Sequence, residues 1–100
     1  MITAAEARKR ADDVHEARKR EYENKVAELW ESWKQDIEKS IEKSSSKGEY
    51  YCIVIHDGKS EDEAALKDML TRRIAIEPYS YKFELYWMSH YSYRLKIWWK

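Results

Sequence analysis

A nearly unbroken helical signal runs over about the first 43 residues of this 100-residue chain. At 1.5 Å per residue such a helix spans roughly 60 Å, against a radius of gyration of about 13 Å for a compact domain of this size. The remaining residues are too few to cover it along its whole length. Part of it must be covered by something else, most simply a second copy of the chain.

The helix has a marked start. Thr3 and Glu6 form a capping box, in which a hydroxyl and a carboxylate satisfy the first free amides. With the cap so close to residue 1, the helix is expected to open the chain and the chain to be complete. Ala4, Ala7, Ala11 and Val14 then keep a narrow seam of small side chains at three-to-four spacing. This seam predicts a close helix–helix contact in a homo-oligomer, a dimer or a higher closed ring, with an exposed arm as the alternative. From Tyr22 the seam turns bulky, through Val26, Leu29, Trp30, Trp33, Ile37 and Ile41, and only this half can anchor on a sheet. Arg18, and Glu21 or Lys25, interrupt the heptad, which argues against a long coiled coil. Two near-copies, Glu6-Ala7-Arg8-Lys9-Arg10 and Glu16-Ala17-Arg18-Lys19-Arg20, lie ten residues apart. They fall about 80° apart around the helix and make no common stripe.

Ser44 to Gly48 breaks the helix. Residues 49–56 read as a strand, whose Cys52-Ile53-Val54-Ile55 run suits a central position buried on both faces. Asp57-Gly58 is a turn. Ser60 with Glu63 offers a second capping box for a helix of about twelve residues, with Ala64, Leu66, Met69, Leu70 and Ile74 on its apolar face. Pro78 ends that segment. Tyr79, Tyr81, Phe83, Leu85 and Trp87 then alternate with polar or exposed positions, and Tyr91, Tyr93, Leu95, Ile97 and Trp99 do the same after a short turn near Ser89 and His90. Two such runs make a β-hairpin. The order predicts one α+β domain over residues 1–100: a long, protruding N-terminal helix (1–43), then a β-α-β-β unit (49–100) with a three-stranded sheet in a two-layer arrangement. The second part has only 52 residues, marginal for independent stability, so the bulky half of the first helix is expected to complete its core.

Composition narrows the chemistry. The formal net charge is zero, which gives no global bias toward nucleic acid or membrane. No apolar run approaches the ~20 residues of a transmembrane helix, and no signal-peptide core is present, so no membrane partner is expected. Cys52 is the sole cysteine, which excludes an internal disulfide and suits a reducing cytoplasm. His56-Asp57 at a strand end has the form of a catalytic dyad, yet no Ser or Cys motif supplies a nucleophile, and a strand-end His with a turn-forming Asp is the simpler reading. Cys52 and His56 share a strand face but lie about 13 Å apart, and His15 and His90 add no ligand spacing, so neither a metal nor another cofactor is expected. Gly48 and Gly58 alone cannot build a phosphate loop. The chain is therefore read as a non-enzyme. Its basic clusters at Arg8-Lys9-Arg10 and Arg18-Lys19-Arg20 are flanked by acids that support i,i+4 pairs, which is the pattern of a solvated helix face.

Charge and aromaticity are uneven along the chain. From Tyr79 onward there are four basic residues, only one acid, Glu84, and nine of the fourteen aromatics. On the polar face of the hairpin, Lys82, Arg94 and Lys96 interleave with Tyr86 and Trp98. Cations that hold phosphates beside rings that stack on bases are how sheets bind nucleotides or single strands, so these five form the candidate ligand site. Two other readings compete: Lys and Arg stems lying over the rings with a cross-strand Glu84–Arg94 pair, and a protein interface.

The Met1-Ile2-Thr3-Ala4-Ala5-Glu6-Ala7-Arg8 start, the charged helix, the Gly48-Glu49-Tyr50 entry to a strand and the closing Tyr93-Arg94-Leu95-Lys96-Ile97-Trp98-Trp99 resemble small accessory proteins of tailed bacteriophages. Those proteins share a capped N-terminal helix, one β-α-β-β unit and an aromatic end. This chain departs from them in having Pro78-Tyr79 where a Gly-Tyr usually opens the second strand. The resemblance implies a phage-encoded protein of the bacterial host cytoplasm that binds and neutralises a host defence component, either a protein or a nucleotide signal. A virion structural or assembly protein, and a single-stranded nucleic-acid-binding module, are the alternatives.

Overall fold

A computed structural model describes residues 1–88 and 91–100; the turn expected near Ser89 and His90 lies outside the described residues. Helix α1 runs over Ala4–Ser46, and the Thr3 hydroxyl accepts the Glu6 amide at 3.2 Å, as the capping pattern predicts. Its other end closes on Gly48 at φ +81°, a conformation that favours glycine. There the Gly48 amide donates to the Ser45 carbonyl and the Glu49 amide to the Ser44 carbonyl, the paired bonds of a Schellman cap.

Four further elements follow: strand β1 (Tyr51–Asp57), helix α2 (Glu63–Arg73), strand β2 (Lys82–Met88) and strand β3 (Ser92–Trp98). The sheet order is β1-β3-β2, with β3 antiparallel to both neighbours. β1 and β2 are therefore parallel, α2 is the crossover between them, and β3 is inserted in the gap. This is the α+β arrangement that the element order predicts.

Four local expectations are corrected. β1 is an edge strand, not the central one, and only Cys52, Val54 and His56 turn toward the helices while Tyr51, Ile53 and Ile55 face outward. A hairpin partner takes the middle of the sheet, and both helices lie on one side, so nothing among the described residues covers the second face of β1. The capping box at Ser60 and Glu63 gives way to a 3-10 turn over Ser60–Asp62, and α2 begins without a side-chain cap. The apolar face of α2 uses Ala65 in place of Ala64. Finally, Tyr79 precedes β2, in a segment with a cis Glu77–Pro78 bond and Ser80 at φ +53°.

The core joins both parts of the chain. Val26, Trp33 and Ile37 of α1 meet Leu66, Met69 and Leu70 of α2 over the inner rows of the sheet, including Cys52, Val54, Leu85, Tyr93, Leu95 and Ile97. Each large side chain buried in this way contributes roughly 1.5–3 kcal/mol. Val26 is the first buried residue, and everything before Lys25 is exposed. The molecule measures 68 × 34 × 18 Å with a radius of gyration of 18.1 Å, well above the compact value, because about five turns of α1 project as an arm. Ala4, Ala7, Ala11 and Val14 all lie on that arm and face solvent in the single chain.

The elbow where the arm leaves the body is tied by polar groups. The Tyr22 hydroxyl donates to Asp68 Oδ2 at 2.6 Å, and Arg72 donates to Glu23 Oε2 at 2.7 Å and to Asp68 Oδ1 at 3.1 Å. The Tyr22 bond holds the Asp68 carboxyl below its ordinary pKa and the Tyr22 hydroxyl above its own. No helix among the described residues is long and apolar enough to cross a membrane.

Candidate binding face

Alternation along β2 and β3 sends every second side chain away from the helices, and the register aligns these into rows. Tyr51, Trp98 and Lys82 form one row; Ile53, Lys96 and Glu84 the next; Ile55, Arg94 and Tyr86 the third. The five residues singled out from the sequence, Lys82, Tyr86, Arg94, Lys96 and Trp98, are thus brought together on the open face of the sheet.

Their local partners are defined. Lys96 Nζ lies 5.6 Å from the ring centroid of Tyr51 and 5.6 Å from that of Trp98, a cation held by two aromatic faces. Lys100 Nζ stands 4.6 Å over Tyr50 at the end of the same sheet. The Tyr86 hydroxyl donates to Glu84 Oε2 at 2.7 Å, and that bond to a carboxylate raises the pKa of the phenol. No Glu84–Arg94 ion pair forms among the described residues: Glu84 stands opposite Lys96, Arg94 opposite Tyr86, and the Glu84 carboxylate takes the Tyr86 hydroxyl.

A third of the face was not legible in the sequence. Tyr51, Ile53 and Ile55 are 48%, 40% and 63% exposed and extend the patch across β1. An all-apolar strand does not reveal which of its two faces is covered, and only the position of β1 at the edge decides it. The complete face has exposed aliphatic and aromatic groups around two central cations, Arg94 and Lys96.

A second constellation lies on the helix-covered side. His56 Nδ1 is 2.8 Å from Asp36 Oδ2, and His56 Nε2 is 3.0 Å from Ser32 Oγ. The imidazole rests against the Trp33 ring with centroids 4.6 Å apart. The carboxylate partner of His56 is therefore Asp36 of α1 and not the adjacent Asp57, which pairs across the strands with Ser92. The sequence signal was available in part, since Ser32 and Asp36 are four apart and share a helix face.

Elsewhere, a groove of about 450 Å³ opens between α1 and residues 74–81, floored by Trp30, Ile37, Ile41, Tyr79 and Tyr81, with the Arg73 guanidinium 5.7 Å over Trp30. Cys52 is buried, and burial pushes its thiol pKa up to about 11. Among the described residues no group of three or more His, Cys, Asp or Glu could hold a metal ion. No protein-family model, curated protein or solved structure matches this chain.

Proposed function

We propose that the protein is a binding module that takes a protein partner on the open face of its sheet and works by occluding that partner, with no chemistry at that face. The observation that supports this reading is the exposure of Ile53 and Ile55 beside Tyr51, Trp98, Arg94 and Lys96. Aromatics and Arg around an apolar centre match the composition of interface hot spots. A broad sheet face suits a macromolecule better than a small molecule, which needs a cleft to bury most of its surface. The central cations favour a partner with an acidic patch and disfavour face-to-face pairing of two copies, which brings like charges together. With the resemblance to phage accessory proteins, the partner is a bacterial host protein, a defence component met in the host cytoplasm.

One observation favours a second reading. Tyr51 and Trp98 are directly opposed across β1 and β3 with Lys96 between their rings, which is also the layout of a platform for a single strand or a nucleotide signal.

The test is affinity capture from host lysate with three proteins: wild type, Ile55→Asp and Trp98→Ala. The binding reading expects one defined partner with wild type, lost with both variants while their melting temperatures stay unchanged. Equal recovery by all three sinks it. Loss of Leu95, which is fully buried, is expected to cost about 2–5 kcal/mol, so Leu95→Ala marks what a structural defect looks like in the same assay. Affinity for a fluorescent oligonucleotide that falls steeply with salt would support the second reading instead.

A further inference from the structure

We propose that Ser32, His56 and Asp36 form a base-activated nucleophile, and that Ser32 accepts acyl groups from activated esters and thioesters. This reactivity is separate from the binding face, since His56 occupies an inward position of β1, the row of Cys52 and Val54.

The proton positions follow from the partners. A carboxylate only accepts hydrogen bonds, so the 2.8 Å contact with Asp36 places a proton on His56 Nδ1. In the neutral imidazole Nε2 is then the acceptor, and the Ser32 hydroxyl 3.0 Å away donates to it. Nucleophile, base and orienting carboxylate thus stand in the order that activates a serine. Two features fix the arrangement. Ser32 and Asp36 are one turn apart on α1, so both reach a single ring, and the Trp33 ring packs against the imidazole. Ser32 itself is exposed, which leaves its oxygen open to an electrophile.

In the reaction, Ser32 Oγ bonds to the carbonyl carbon as its proton passes to His56 Nε2. The tetrahedral adduct collapses, the alcohol or thiol departs with that proton, and an acyl-Ser32 ester remains. Water, deprotonated by His56 in the same way, then releases a carboxylic acid and restores Ser32. The geometry also bounds the chemistry. Ser32 lies inside α1, where neighbouring amides are spent in the helix ladder, so water meets the adduct oxygen. What remains is general-base activation, on the order of 10²–10⁴-fold, which restricts the substrates to acyl groups with good leaving groups.

The test treats the full-length protein with p-nitrophenyl acetate at neutral pH and follows acetylation peptide by peptide by mass spectrometry. Ser60, also exposed, serves as the internal reference. The peptide carrying Ser32 is expected to acetylate at Ser32 at least about tenfold faster than Ser60 does, and Ser32→Ala to remove that product. Asp36→Asn, half-exposed and tolerable to the fold, replaces an acceptor by a group that can donate to Nδ1. It is expected to slow Ser32 acetylation to the Ser60 rate with the circular-dichroism spectrum unchanged. Acetylation of Ser32 no faster than Ser60, or at the wild-type rate in a folded Asp36→Asn protein, overturns the proposal.

Discussion

A Cβ added to Gly58 would stand 2.8 Å from Cε2 and 2.9 Å from Cδ2 of the Tyr93 ring. Tyr93 cannot yield. It is fully buried, its hydroxyl donates to the Lys59 carbonyl, and the Gly58 amide donates to the Tyr91 carbonyl at 2.8 Å. The glycine of the Asp57-Gly58 turn is required by close approach, and not by a left-handed backbone. Gly58→Ala is therefore expected to destabilise the protein by about 1–3 kcal/mol in urea titration. Tyr93→Leu should relieve the clash, so the double variant is expected to lose less than the sum of the two single variants.

The arm and the body should separate energetically. Deleting residues 1–18 removes only exposed side chains and keeps Tyr22, Glu23 and the core, so the melting temperature of the monomer is expected to hold. A fragment of residues 49–100 loses Val26, Trp33 and Ile37 from the core, each worth about 1.5–3 kcal/mol, and is expected to be unfolded by circular dichroism. For the arm itself we propose self-association through Ala4, Ala7, Ala11 and Val14. Light scattering should then report an oligomer for wild type and a monomer for the Ala7→Glu, Ala11→Glu double variant. A wild-type monomer above micromolar concentration refutes that seam.

Burial of Cys52 has a pH signature. Its thiol rises from an ordinary 9.0 to about 11, so the folded state resists ionisation that the unfolded chain undergoes. A raised pKa of this kind gives stability that is complete below pH 9 and is lost as pH climbs through 11, about 3 kcal/mol in all. Tyr93 is shifted upward by burial too and adds in the same direction. Cys52→Ala is expected to flatten the fall in stability between those values, measured by denaturant midpoints. In native protein at pH 8, iodoacetamide should leave Cys52 unmodified until urea is added.

Local chemistry decided much of this protein from sequence alone. Both ends of α1 follow from groups within a few residues of each other: the Thr3 hydroxyl on the Glu6 amide, and Gly48 in the left-handed region. The change from small to bulky side chains near Tyr22 marks where the arm becomes body, because hydrophobic periodicity is read along one helix without knowledge of its partners. Alternation in β2 and β3 likewise placed Lys82, Tyr86, Arg94, Lys96 and Trp98 on one face, since a strand turns every second side chain the same way.

Strand order and helix docking were decided only in three dimensions. Placing β3 between β1 and β2 is a long-range choice, and it alone exposes Tyr51, Ile53 and Ile55 while Cys52 and Val54 of the same apolar run are buried. The Ser32–His56–Asp36 cluster joins residues 20 and 24 positions apart. It exists because burying Trp33 and Ile37 under the sheet sets the rotation of α1 about its axis. That rotation carries the flanking Ser32 and Asp36 to β1, a consequence of tertiary packing that no pattern within a single element encodes.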